Sequence, residues 1–131
     1  MTTFYRALIL IAFVLAAPSA FASDLPADMM LSAPDGWEAR RPAVPFSHTL
    51  HDRLDPGQCA TCHHEWDGSG QPASCSSSGC HDQQGRREAR SFYRAFHDRS
   101  DQRSCVGCHS TARRAGSTDV PVSCGDCHVR N

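Results

Sequence analysis

The residues of this 131-residue chain whose types and spacing suit chemistry fall into four short clusters. They read CATCH (Cys59, Cys62, His63), CSSSGCH (Cys75, Cys80, His81), CVGCH (Cys105, Cys108, His109) and CGDCH (Cys124, Cys127, His128), and together they hold all 8 cysteines. In each, a histidine directly follows the second cysteine. Three spacers are two residues long and one is four. Two thiols this close can form thioethers with the two vinyl groups of one heme, and the next histidine then falls under the iron as an axial ligand. Paired cysteines also hold zinc, and an exported chain with this many cysteines can be a disulfide scaffold. Neither alternative accounts for the histidine in all four places.

The histidine count extends the argument. Of 8 histidines, His63, His81, His109 and His128 belong to the motifs, and His48, His51, His64 and His97 remain. A lone histidine is more often a surface or hydrogen-bonding residue than a ligand. Four hemes, however, leave four further axial positions, so the total matches two histidines per iron with nothing left over. His64 adjoins His63 and faces the other way, so it can cap a neighbouring heme.

The segments that must position these groups are poor in ordinary core. From Cys59 to Asn131 there is no Leu, Ile or Met, and the only aliphatics beyond Ala are Val106, Val120, Val122 and Val129. Trp66, Phe92, Tyr93 and Phe96 add aromatic surface. That is too little apolar area to offset the entropy of ordering the segment, so disulfides, metal or a cofactor must supply the core. Many Gly, Ser, Asp and Pro predict much loop and little sheet. Residues 85–99, GRREARSFYRAFHDR, place Ala89, Phe92 and Phe96 at helical spacing, which predicts a helix. Tyr93 and His97 would share one of its faces, with Ala89 completing a heme-facing stripe.

Upstream, Arg6, the apolar run ALILIAFVLAA and the A-x-A site Ala20-Phe21-Ala22 predict a signal peptide over residues 1–22, cleaved before Ser23. The run is short for a membrane span and lacks a stop-transfer flank. Residues 23–131 then form one small domain that does not insert in a membrane. The 13 basic residues, all arginine, against 14 acidic ones give no sign of nucleic-acid binding.

Four features combine: the run PFSHTLH from Pro45 to His51 ahead of the first motif, C-x-x-C-H-H, the long-spaced second motif, and the aromatic segment ending in His97. Together they resemble the tetraheme class III cytochromes c, the cytochrome c3 family, over about residues 33–131. The resemblance implies a mostly helical and irregular small multiheme fold, with few helices and loops around four hemes and a short N-terminal β ribbon. LPADMMLSAPDGWEARRPAVPF suits that ribbon, with Pro-Asp-Gly as its turn. It implies four heme c groups: Cys59, Cys62 and His63 with His48; Cys75, Cys80 and His81 with His64; Cys105, Cys108 and His109 with His51; Cys124, Cys127 and His128 with His97. Phe46 resembles the aromatic beside the first heme.

Two features depart from the family pattern. The fourth spacer is short where members often have a longer one. The family also surrounds its fourth heme with lysine, and this chain has none. Arg86, Arg87, Arg90, Arg94, Arg99, Arg103, Arg113 and Arg114 either form a docking patch in their place or pair with propionates and solvate a helix face.

Iron held by two histidines has no open position for substrate and lacks the Met ligand that raises the potential. The expectation is therefore a low-potential periplasmic electron carrier, a monomer rather than an enzyme, with propionates coupling protonation to reduction. The resemblance implies a periplasmic hydrogenase, a formate dehydrogenase or a membrane-bound multiheme complex as redox partner. A reductase of a small oxyanion or metal ion would need one open heme, and a wire subunit would sit permanently in a larger complex.

Overall fold

In a computed structural model of the chain, residues 27–54 and 59–130 are described. The expected signal peptide lies outside them. Strand β1 (Asp28–Leu31) pairs antiparallel with β2 (Val44–Ser47), in the register Asp28 with Ser47, Met29 with Phe46, Met30 with Pro45 and Leu31 with Val44. Among the described residues five helices follow: α1 (His48–Leu54), α2 (Cys59–Cys62), α3 (Phe92–His97), α4 (Cys105–Arg114) and α5 (Cys124–Cys127). No helix among the described residues is long and apolar enough to cross a membrane.

The ribbon forms where the sequence predicts it. Gly36 takes a φ of 79°, and the Trp37 amide donates to Pro34 O at 3.1 Å. Only glycine holds that conformation at low cost, which makes Pro34–Trp37 the turn. The strands themselves are shorter than the predicted segment. Register places Phe46 beside Met29, and the chain passes straight from Ser47 into α1. The His48 amide donates to Ala27 O at 2.7 Å, locking the helix start to the ribbon.

The helix expected over residues 85–99 is shorter, Phe92–His97. Gly85 has a φ of +71°, outside the right-handed helical region. The backbone of residues 83–92 is committed elsewhere, with Gln83 N donating to Arg90 O at 3.2 Å and Phe92 N to Gln83 O at 3.1 Å. The run 86–90 contains Ala89 as its one apolar residue, too little to make one more turn worth its entropy. Ser91 then caps α3: it is fully buried, its hydroxyl donates to Gly85 O at 2.7 Å and accepts from Arg94 N at 3.2 Å. Ala89 is therefore not part of a helical stripe, whereas Tyr93 and His97 do share a face.

Helices α3 and α4 pack together through backbone rather than through an apolar seam. Ser104 caps α4, accepting from Gly107 N at 2.9 Å and donating to Asp98 O at 2.5 Å. A Cβ on Gly107 would collide with the carbonyl oxygens of Asp101 and Asp98. Those contacts are to backbone and cannot relax by a side-chain rotation. Gly107→Ala is therefore expected to destabilise the heme-loaded protein by about 3 kcal/mol, read as a lower denaturation midpoint by guanidinium titration. Among the described residues no hydrophobic side chain is buried, and the buried polar side chains are Ser91, Ser104 and Ser110.

Candidate functional site

Local helical geometry explains the motif spacing. In α2, α4 and α5 the two cysteines stand at i and i+3 and the histidine at i+4, which puts all three on one helix face. The His63 amide donates to Cys59 O at 2.9 Å and the His128 amide to Cys124 O at 2.8 Å, carrying the turn through to the histidine. The longer second motif reaches the same closure differently. Two successive turns, Ser77 N to Ser74 O at 3.0 Å and Cys80 N to Ser77 O at 2.9 Å, fold the spacer back so that His81 N donates to Cys75 O at 2.9 Å. Gly79, with a φ of 87°, permits that return. In α5 the short spacer carries its own cap. Ser123 and Asp126 form a reciprocal capping box, whose backbone and hydroxyl donors at Ser123 hold the Asp126 carboxyl below its usual range.

No two of the eight cysteines are bonded to each other. Burial pushes the Cys105 thiol up to about 11, helped by neighbouring Cys62, Cys75 and Cys127. One cysteine from each motif thus shares a single electrostatic neighbourhood.

The histidine rings are oriented by backbone carbonyls. A carbonyl can only accept, so Nδ1 is the donor in each case: His51 to Ser47 O at 2.7 Å, His63 to Ala73 O at 3.1 Å, His97 to Tyr93 O at 2.9 Å, His109 to Pro121 O at 2.8 Å and His128 to Pro42 O at 2.7 Å. This fixes the tautomer that leaves Nε2 as a lone-pair donor. His64 Nδ1 lies 3.1 Å from Glu65 Oε1. His81 differs. Its Nδ1 is buried without a hydrogen-bond partner among the described residues. Burial, then nearby His64 and Arg103, pulls His81 below the usual imidazole range. Burial also lowers His97, with His128 and Arg86 adding to it against the Tyr93 carbonyl. Both shifts favour the neutral, ligating form.

Three histidine pairs face each other. Ring centroids lie 6.0 Å apart for His51 and His109 with planes 14° apart, 6.1 Å for His97 and His128 with planes 10° apart, and 5.9 Å for His64 and His81 at 66°. Two imidazoles sharing one metal through bonds of about 2 Å have centroids about 6 Å apart. Each pair joins a histidine of a Cys-His motif to one of the remaining histidines. The other two rings are held by separate contacts, His48 edge-on to Phe46 at 4.8 Å and His63 by the Ala73 carbonyl. Phe46 also touches His51, at 4.5 Å between centroids.

The residues fit heme on three grounds: cysteine pairs and histidine on one face, imidazoles oriented by Nδ1 donation with Nε2 left to ligate, and no apolar side chain buried by the described polypeptide alone. The carbonyls of Ser47, Ala73, Tyr93, Pro121 and Pro42 were not foreseen from sequence. Two could have been, since Ser47–His51 and Tyr93–His97 are i, i+4 pairs. The other three depend on tertiary contacts. An open cleft at the fourth motif is lined by Arg41, Cys124, Gly125, His128, Val129 and Arg130, whose two arginines suit carboxylates.

The arginines of residues 86–114 do not make a uniform basic field. Arg94 binds Asp98 at 2.6 Å, Arg103 binds Asp101 at 2.8 Å and Arg90 lies 3.6 Å from Asp82. Arg99 donates to Ser110, Arg113 to Thr118 O and Arg114 to Thr111.

Comparison with known proteins accounts for this arrangement. The model of the class III cytochrome c family matches residues 26–128. The chain is 42% identical over 108 residues to cytochrome c3 of Desulfovibrio desulfuricans, covering 82% of this chain and 99% of that one. It is 45% identical over 107 residues to cytochrome c3 of Maridesulfovibrio salexigens, covering 82% and 97%. The crystal structure of the di-tetraheme cytochrome c3 of Desulfovibrio gigas superposes with a TM-score of 0.70 at 32% identity, covering 82% of this chain and 99% of that one. The chain therefore belongs to the class III cytochrome c family of tetraheme electron-transfer proteins, and its eight cysteines fit the four attachment motifs for c-type heme.

Proposed function

We propose that this protein is a low-potential, periplasmic electron carrier in which every heme is held by two histidines. The observation that carries the reading is the facing of His51 with His109, His64 with His81 and His97 with His128 at about 6 Å between centroids. His48 with His63 is the remaining pair. Cys59 with Cys62, Cys75 with Cys80, Cys105 with Cys108 and Cys124 with Cys127 supply the thioethers. Heme iron between two imidazoles exchanges one electron without opening a coordination position. The chain's own part is to hold each ring through its Nδ1 donation, so that little rearranges on reduction.

Residues 1–22 direct export and are removed, leaving residues 23–131 as one monomeric domain. A periplasmic hydrogenase, formate dehydrogenase or membrane-bound multiheme complex supplies or takes the electrons. An anaerobic redox titration followed by visible absorbance tests the reading. Four low-spin hemes titrating at clearly negative potentials are expected. A high-spin band in the untreated protein, or rapid carbon monoxide binding, would show that one iron lacks its second histidine and would turn the assignment toward a reductase.

A further inference from the structure

Among the described residues, Arg86 is the guanidinium seated over an aromatic ring. Its Cζ lies 4.5 Å from the Tyr93 centroid. The Tyr93 ring in turn lies nearly flat on His97, with centroids 4.3 Å apart and planes 7° apart. His97 faces His128 at 6.1 Å. Arg86, Tyr93 and His97 thus form a ladder whose last rung is a proposed iron ligand.

The neighbouring arginines contrast with it. Arg90 and Arg94 are matched by Asp82 and Asp98. The nearby Glu88 carboxylate accepts the Arg87 amide at 3.0 Å. The salt bridges of the described residues include no carboxylate on Arg86. A guanidinium stacked on a ring keeps its charge and is held in place without being neutralised.

We propose that Arg86 tunes the heme held by His97 and His128: seated on Tyr93, its positive charge stands one ring away from His97 and raises that heme's reduction potential. The inference rests on the proposed ligation by His97. Adding an electron makes the heme more negative, so a fixed cation nearby favours the reduced form. Tyr93 is the positioning residue, because it fixes where an otherwise mobile, exposed side chain spends its time. The charge is partly screened by water, so the effect is modest and depends on salt.

Four midpoint potentials, resolved heme by heme by NMR during anaerobic titration at low ionic strength, test this. Arg86→Gln is expected to shift one reduction equilibrium about threefold toward oxidised, about 30 mV at 59 mV per tenfold for one electron, and to leave the other three in place. The shift is expected to shrink toward zero at about 1 M salt. Tyr93→Leu is expected to lower the same potential, and Arg86→Gln added to Tyr93→Leu to lower it little further. Four unchanged potentials, four equal shifts, or additive single effects would overturn the proposal. His97→Ala separates the two readings: if no high-spin heme appears, the ligand assignment fails. If one does and Arg86→Gln moves nothing, the tuning role alone falls.

Discussion

Produced without heme attachment, the chain is expected to be unfolded, with collapsed amide dispersion by NMR and no cooperative thermal transition. The heme-loaded protein is expected to show both. The reason is the composition of the interior. Among the described residues the polypeptide buries no hydrophobic side chain, and Ser91, at 0% exposure, is its most enclosed residue. Ordering the backbone costs about 1–2 kcal/mol per residue. Fully burying one large apolar side chain returns about 1.5–3 kcal/mol, and the described residues have no such burial to draw on. The order visible in α3 and α4 comes from caps and backbone contacts: Ser91 to Gly85 and Arg94, Ser104 to Asp98 and Gly107. Caps contribute about 1 kcal/mol each and cannot carry a domain. Replacing Cys105 and Cys108 together by Ser is expected to be the most disruptive loss of one motif, since α4 is the longest helix described and packs on α3. A dispersed spectrum from the heme-free chain would show that the polypeptide holds a core the described residues do not reveal.

The same scarcity governs how much of this molecule was legible in its sequence. Motif spacing was legible because it is local: i, i+3 and i+4 fall on one helix face whatever surrounds them. The closure of the four-residue spacer was not, because it needs the positive φ of Gly79 and two chained turns. The helix expected over residues 85–99 is shorter because the spacing of Ala89, Phe92 and Phe96 says nothing of the backbone before Phe92, where Gly85 and the bonds between Gln83 and residues 90–92 hold another course. Pairing of distal histidines could be counted from sequence but not assigned. The count fixes how many rings are needed. Only tertiary structure brings His128 from the chain end to the Pro42 carbonyl at 2.7 Å, and so opposite His97. The arginines show the limit of reading charge along a line. Eight in a short span left open a docking patch or locally paired and solvated side chains, and Asp82, Asp98 and Asp101 meet three of them locally.

Replacing His97 is expected to change the redox behaviour of one heme strongly. His97→Met is expected to raise one of four potentials by on the order of 100–200 mV, a fraction of the roughly 0.8 V that axial ligands control, because thioether ligation favours ferrous iron where imidazole does not. His97→Ala is expected to give one high-spin heme that binds carbon monoxide, with three left low-spin. The position makes the outcome specific. His97 is the last residue of α3, its Nδ1 is anchored to Tyr93 O one turn back, and burial lowers its pKa below the usual imidazole range. Its removal leaves the Ser91 cap, the Arg94–Asp98 pair and the His128 anchor in place, so the loss is confined to one coordination position. The other three potentials are expected to shift only through the changed charge of a neighbouring centre. Met in place of a histidine that merely packs against His128 would leave all four potentials and the visible spectrum where they were. That result would send the search for the fourth motif's second ligand to another ring.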